Sequence, residues 1–257
     1  MSQILTQNST SPISWRSILF GLIILPFEVY WVTISEMKYG SQATALPLFI
    51  YPIFILFCLV IINHGLLNFL DWRFLTTAEL LTIYVMLVIG TSVSAYGMLQ
   101  DLFAVVVHPY RFASDENEWR NLFFQYIPQH FTVSNPNILI EYYEGDSSLY
   151  RSEYLHGWLY PTVTWISFTM VLLLMMHCLN TILRRQWIQG ERLAFPIIQL
   201  PLHLVQSGNF FSARFFWFGF AIVTVFDILS GLNRLFPSVP HLHLKLFNIQ
   251  QYFTENP

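Results

Sequence analysis

Residues Arg184–Leu204 read RRQWIQGERLAFPIIQLPLHL. The longest hydrophobic run of the chain stops at their start. A basic pair, a charged turn at Gly190-Glu191-Arg192 and a short apolar piece carrying Phe195, Pro196 and Pro201 follow. Arg184-Arg185 marks the cytoplasmic end of a membrane span, because Lys and Arg are retained on that side. The piece Leu193–Val205 is too short to cross a hydrocarbon core as a helix, and its two prolines argue against one smooth helix. Two structures fit it. One is a cytoplasmic interfacial elbow over 184–206. The other is a re-entrant segment, whose unpaired backbone must be buried in protein or face a water-filled cavity because lipid cannot satisfy it. Transporters build substrate sites from broken segments of this kind.

Composition places the rest of the chain in the same setting. Hydrophobic residues make up 54% of the 257 and charged residues 11%, where a soluble domain carries about a quarter charged. The expected fold class is therefore all-α: a polytopic helical membrane protein with about five transmembrane helices plus the Pro-interrupted segment. The net charge of -3 gives no reason to expect nucleic acid. Cys58 and Cys178 both sit inside apolar runs, which reads as two small packing residues rather than a disulfide or a metal site.

Outward from the central stretch, residues 1–14 form a polar, disordered lead. Residues 15–108 hold membrane helices 1–3. The first, Trp15–Ile34, carries Pro26 and Glu28 and has no cleavage site of a signal peptide. The second, Ala45–Leu70, has Pro47 and Pro52 in its first turns and ends before Asp71-Trp72-Arg73. The third opens on a capping box, Thr76 with Glu79 three residues on. Gly90, Ser94 and Gly97 then give a small-residue face that lets another helix approach closely in lipid. Its apolar character persists to Val107, with Gly97, Gln100 and Asp101 marking an end or break. Residues 109–156 form an acidic extracytoplasmic loop with two short amphipathic helices. Ser114 caps the first, with Trp119, Leu122, Phe123 and Tyr126 on one face; Asn135-Pro136 starts the second and Gly145 stops it. Residues 157–234 hold helices 4 (Trp158–Leu183) and 5 (Phe211–Arg234) around the elbow. The tail, 235–257, lies outside, and past Pro237 it alternates like extended chain. Counting from the basic pair puts the N-terminus in the cytoplasm.

An ionisable group inside lipid costs roughly 2.5–3.5 kcal/mol on insertion scales, so each one needs a reason. Glu28, mid-span and two residues after a proline that frees a carbonyl, reads as a proton or cation site, or as a carboxyl held by Thr33, a neighbouring helix or water. Asp227 shares a face with Ser230, Gly231 and Arg234, and reads as an internal ion pair or a second coupling site. His64, Asn68 and Asp71 share another face, but one histidine and one carboxylate make too thin a set for a transition metal. His177 reads as a hydrogen-bonded imidazole and His241/His243 as part of a surface tail. Glu79 is accounted for by capping, and Glu191 by Arg192. No metal site, cofactor or catalytic motif is called for.

The runs RRQWIQGERLAFPIIQLPL, TTAELLTIYVM, NEWRNLFFQYIPQHF and GLNRLFPSVP resemble a family of large, uncharacterised bacterial inner-membrane proteins known as domains of unknown function. The resemblance runs from Trp15 to Pro240. More remotely, Glu191, Leu193, Phe195 and Pro196 are similar to a run in oligopeptide and metal-chelate transporters. Members of the family are longer, so this chain resembles an N-terminal portion or a truncated copy. The first reading is a multi-pass inner-membrane protein of transporter type, with Glu28, Asp227 and the 190–204 elbow near the pathway and coupling to protons or a cation through one of those carboxyls. The alternative is a non-catalytic subunit or scaffold. The implied partners are the lipid bilayer and a homo-oligomer or second membrane subunit, the latter packing on Gly90, Ser94 and Gly97.

Overall fold

The computed structural model describes residues 14–41, 44–45, 49–70, 74–94, 96, 98–145, 147–191, 193–206, 211 and 213–240. Among these all regular structure is helical: α1 (Trp15–Met37), α2 (Ile50–Leu70), α3 (Thr77–Val93), α4 (Leu99–Phe112), α5 (Trp119–Leu122), α6 (Pro136–Glu144), α7 (Ser152–Arg185), α8 (Pro196–Gln206) and α9 (Arg214–Leu235). The lead 1–13, the Asp71–Arg73 turn, Gly97, Arg192 and the tail from His241, with His243, lie outside the described residues.

Three helical stretches are long and apolar enough to cross a membrane: Trp15–Met37, Ser152–Gly190 and Arg214–Asn233, each meeting the requirement of about 20 residues. The apolar stretches Ile50–Leu66 and Thr77–Val93 are shorter. The chain divides into two compact units, Met1–Pro201 and Leu202–Pro257.

In the first unit, α1 and α3 pack along one another and α2 packs on α3. The local chemistry sets these ends. Thr76 accepts from the Glu79 amide while the Glu79 carboxyl accepts from the Thr76 amide, so the capping box is formed and two otherwise orphaned donors are satisfied. Asn63 of α2 accepts from the amides of Phe74 and Leu75 and donates to the Leu75 carbonyl, clamping the start of α3 to α2.

The apolar run through Val107 is not one helix. The chain turns to extended backbone at Ser94 (ψ 164°), and α4 restarts at Leu99, so Gln100 and Asp101 lie in the first turn of a new helix instead of marking the break. Val106 and Val107 of α4 then pack with Val133, with Ile138 and Leu139 of α6, and with Tyr154 of α7. The Trp165 indole of α7 donates to the Phe131 carbonyl at 2.9 Å, tying the connecting segment to the long helix.

Two further expectations are corrected. Ser114 does not cap a helix carrying Trp119 to Tyr126. It exchanges bonds with Asn117, and α5 has only four residues after Glu118 at φ 52°. The second expected helix is present: the Asn135 side chain accepts from the Asn137 amide, Pro136 sits in the first turn, and Gly145 ends it at φ 80°. The elbow is also more helical than its prolines suggested. A five-residue π turn, Gln186–Gly190, extends α7, and Pro196 opens α8, where its missing amide costs nothing. Pro201 lies inside α8, at the cost of one main-chain bond.

In the second unit, the Trp217 indole donates to the Phe211 carbonyl at 2.7 Å and Asn233 donates to the Val239 carbonyl at 2.6 Å, fastening both ends of α9.

Helix proximity gives a direct stability test. A Cβ on Gly157 of α7 would collide with Ile138 Cδ1, whereas one on Gly219 of α9 would meet nothing within 4 Å. Ile138 is fully enclosed, so Gly157→Ala should cost about 1–3 kcal/mol by overpacking. Gly219→Ala should be neutral or stabilising by up to about 1 kcal/mol. Thermal unfolding in detergent checks the pair; equal Tm values would refute the α6–α7 contact.

Candidate functional site

The buried residues of α1 are Ser17, Gly21, Glu28, Val32 and Glu36, spaced by four, seven, four and four. That spacing selects one face of a helix. The buried residues of α3 are Glu79, Leu80, Ile83, Leu87 and Thr91. The two faces meet with the helices parallel, because the cross-seam pairs advance together: Ser14 Oγ to Glu79, Thr91 Oγ1 to Glu28, and the Tyr96 amide to Glu36. Glycine allows the close approach. A Cβ on Gly21 would lie 2.6 Å from Met86 Sδ, and one on Gly90 would lie 3.0 Å from Leu25 Cδ1.

Glu28 is 1% exposed. Its Oε1 accepts from Thr91 Oγ1 at 2.8 Å. Its Oε2 is buried without a hydrogen-bond partner among the described residues and lies 3.9 Å from the position of a Gly90 Cβ. A buried polar oxygen left unpaired costs about 1–3 kcal/mol, so this atom is the one in the seam with unused bonding capacity. Pro26 is exposed while Glu28 is buried, as expected of residues 200° apart on a helix; proline and carboxyl therefore work on different faces.

Glu36 escaped the sequence reading. It is fully buried. Its Oε1 accepts from the Thr44 amide at 2.6 Å and Thr44 Oγ1 at 2.7 Å, and its Oε2 from the Tyr96 amide at 3.1 Å. The signal was its place eight residues beyond Glu28, on the same face, but the first run was taken to end at Ile34. Thr91 was missed for another reason: a lone threonine in an apolar run carries no mark of what it faces.

The other expected residues are placed as follows. Gly90 faces α1, its Cβ position lying against Leu25; Ser94 is buried and donates to the Thr91 carbonyl at 3.1 Å. Asp227 is exposed on α9, in the second unit. Glu191 is exposed and donates its amide to the Gln186 carbonyl. Phe195 has φ 42°, a strained conformation for a bulky residue, immediately before Pro196. Pro201 is buried in α8. His64 and His177 are exposed; Asn68 lies within α2. A separate apolar groove of about 370 Å³ runs between α4 and α7, walled by Leu102, Phe103, Trp158, Trp165 and Met170.

These features define an all-helical, strongly apolar chain with a carboxyl buried in the contact between two parallel helices. The chain belongs to a family of unknown function, DUF6785, whose model matches residues 7–257. No curated protein and no solved structure matches it, and nothing in these comparisons supports a likeness to oligopeptide transporters.

The two buried glutamates should respond differently to loss of one oxygen. Glu36→Gln turns an amide donor toward donors already aimed at the carboxyl, and should cost about 1.5–3 kcal/mol. Glu28→Gln keeps the oxygen that Thr91 needs and should stay within about 1 kcal/mol of the parent. Paired unfolding curves in detergent decide it; a Glu28→Gln loss matching that of Glu36→Gln would make Glu28 a structural anchor as well.

Proposed function

We propose that this chain is a multi-pass helical protein of the inner membrane, of transporter type, in which Glu28 takes up and releases a proton during the working cycle. The observation that carries the reading is the state of the Glu28 carboxyl: one oxygen held by Thr91, the other buried with bonding capacity unused. Retaining such a group within lipid is costly, and carboxyls retained there mark proton relays and ion paths. Three stretches are long and apolar enough to cross, which supports the membrane setting, and α7 has almost no buried side chains beyond Tyr154 and Pro161, as a lipid-facing helix would. The basic residues Arg184 and Arg185 at the end of α7 support a cytoplasmic placement of that end and of the N-terminus. Glu36 is bonded on both oxygens and acts in this reading as an anchor.

The test uses a lipid-soluble carbodiimide, which adds to a protonated carboxyl in apolar surroundings. In proteoliposomes, mass spectrometry should find the adduct on Glu28, forming more slowly as external pH is raised; Glu28→Gln should lack it. No adduct on Glu28 at any pH, or a rate indifferent to pH, would sink the proposal.

A further inference from the structure

Resting on the reading of Glu28 as a proton-exchanging carboxyl, we propose that Glu28 is served from one end of the α1–α3 seam only. The proton enters and leaves at the Glu36 end, past Thr91 and Ser94, and the Glu79 end is sealed. The two directions along the seam differ in chemistry. Toward Glu79, the eleven positions from Glu28 back to Ser17 span about 16 Å at 1.5 Å per residue. Every residue of α1 between them, Ile18 to Phe27, is apolar or glycine. Over the same stretch of α3, Leu80, Ile83 and Leu87 are buried at 3%, 0% and 0% exposure. Met86 Sδ lies against Gly21, closing the one place where α1 has no side chain. The buried side chains of that stretch offer a proton no partner group, and close apolar packing holds no water.

Toward Glu36 the eight positions span about 12 Å, and α3 supplies polar groups at short intervals. Thr91 Oγ1 donates to Glu28 Oε1, and Ser94 Oγ donates to the Thr91 carbonyl. Beyond them the Tyr96 amide donates to Glu36 Oε2. Thr91 and Ser94 are buried at 0% and 1%, the Thr91 hydroxyl against Glu28 and the Ser94 hydroxyl against the Thr91 carbonyl. Val32, between the two glutamates on α1, is apolar, which leaves the route to α3. At this end α3 stops at Val93, and Tyr96 is exposed. A proton arriving from water at the Glu36 end bonds to Glu28 Oε2, converting the carboxylate to the acid while Thr91 holds Oε1; release reverses the step and returns the proton to water. Glu36, with its oxygens already taken by Thr44 and Tyr96, fixes the mouth and does not carry the proton.

The test is sided cysteine labelling of the whole chain in sealed membrane vesicles, in a Cys58→Ser, Cys178→Ser background, with a small impermeant methanethiosulfonate. Trp15→Cys and Tyr39→Cys report which side faces each end of α1; both positions are exposed. Ser94→Cys should label from the side that labels Tyr39→Cys and not from the other. Ile83→Cys, or Leu87→Cys if the first does not fold, should label about tenfold or more slowly from either side, because an apolar surrounding suppresses the thiolate. The carbodiimide adduct on Glu28, measured in each variant, verifies that the seam is formed. An adduct on Glu28 together with Ser94→Cys labelled from the Trp15 side, from both sides or from neither overturns the one-sided route and leaves the coupling reading standing. Ile83→Cys labelled as fast as Ser94→Cys does the same. Absence of the adduct from the parent chain removes the coupling reading, and the route with it.

Discussion

A carboxyl buried where two helices touch constrains everything around it. Glu28 needs a donor, and Thr91 supplies one at 2.8 Å; that distance can be kept only if α1 and α3 stay in one register and one separation. Gly21 and Gly90 set the separation, since a Cβ at either would strike Met86 or Leu25. The register is pinned at both ends by further polar contacts, Ser14 with Glu79 and Glu36 with the Tyr96 amide. A slide by one residue would move each helix about 1.5 Å along the axis and 100° around it, and all three polar contacts would fail together. In lipid, where apolar surface gives helices little reason to associate, small residues and interhelical hydrogen bonds are what hold them. The seam has both.

The same logic explains why α2 is tied on differently. It meets α3 through Asn63, whose side chain takes two amides and gives to one carbonyl at the start of α3. Backbone groups at a helix start must be satisfied by something, and here the preceding helix does part of that work. The α2–α3 turn is therefore fixed by a side chain outside the turn itself. The α4–α6–α7 cluster is built on apolar residues by contrast, with aromatic edges (Phe103 against Trp158, Phe131 against Trp165).

Much of this could be read from sequence, and the failures have physical causes. Glu28 announced itself by the cost of its setting, and Thr76 with Glu79 by local chemistry within four residues; both rules need no tertiary information. The helix break at Ser94 was misplaced because hydropathy runs unbroken through Val107, and hydropathy reports solvent, not backbone direction. Pro196 and Pro201 argued against one smooth helix because proline removes a main-chain donor; α8 opens at Pro196 and runs through Pro201 at the loss of one main-chain bond. Ser114 was read as a cap because Ser, Asn and Asp serve turns and caps by the same hydrogen bonds, and Asn117 took its bonds first. Glu36 was overlooked for lack of a partner in sequence: Thr44 is eight residues on and Tyr96 sixty. A buried polar residue whose partners are all non-local leaves no local pattern to find.

The contrast between Glu28 and Glu36 is the strongest argument that the first is more than packing. Both sit on one face of α1, eight residues apart, and both are buried to the same degree. Glu36 is what a structural carboxyl looks like: three donors, two from Thr44 and one from Tyr96, converge on it. Had Glu28 been selected only to hold α1 to α3, a neutral hydroxyl or amide would satisfy Thr91 without leaving an oxygen unpaired, and leucine would fill the space at lower cost. The seam instead retains a group with one more acceptor than the structure uses. On one side of it α1 and α3 close on apolar side chains, with Met86 against Gly21, and on the other lie the buried hydroxyls of Thr91 and Ser94. A carboxyl that exchanges with water must have that spare oxygen and a polar way to it; a carboxyl that merely packs needs neither.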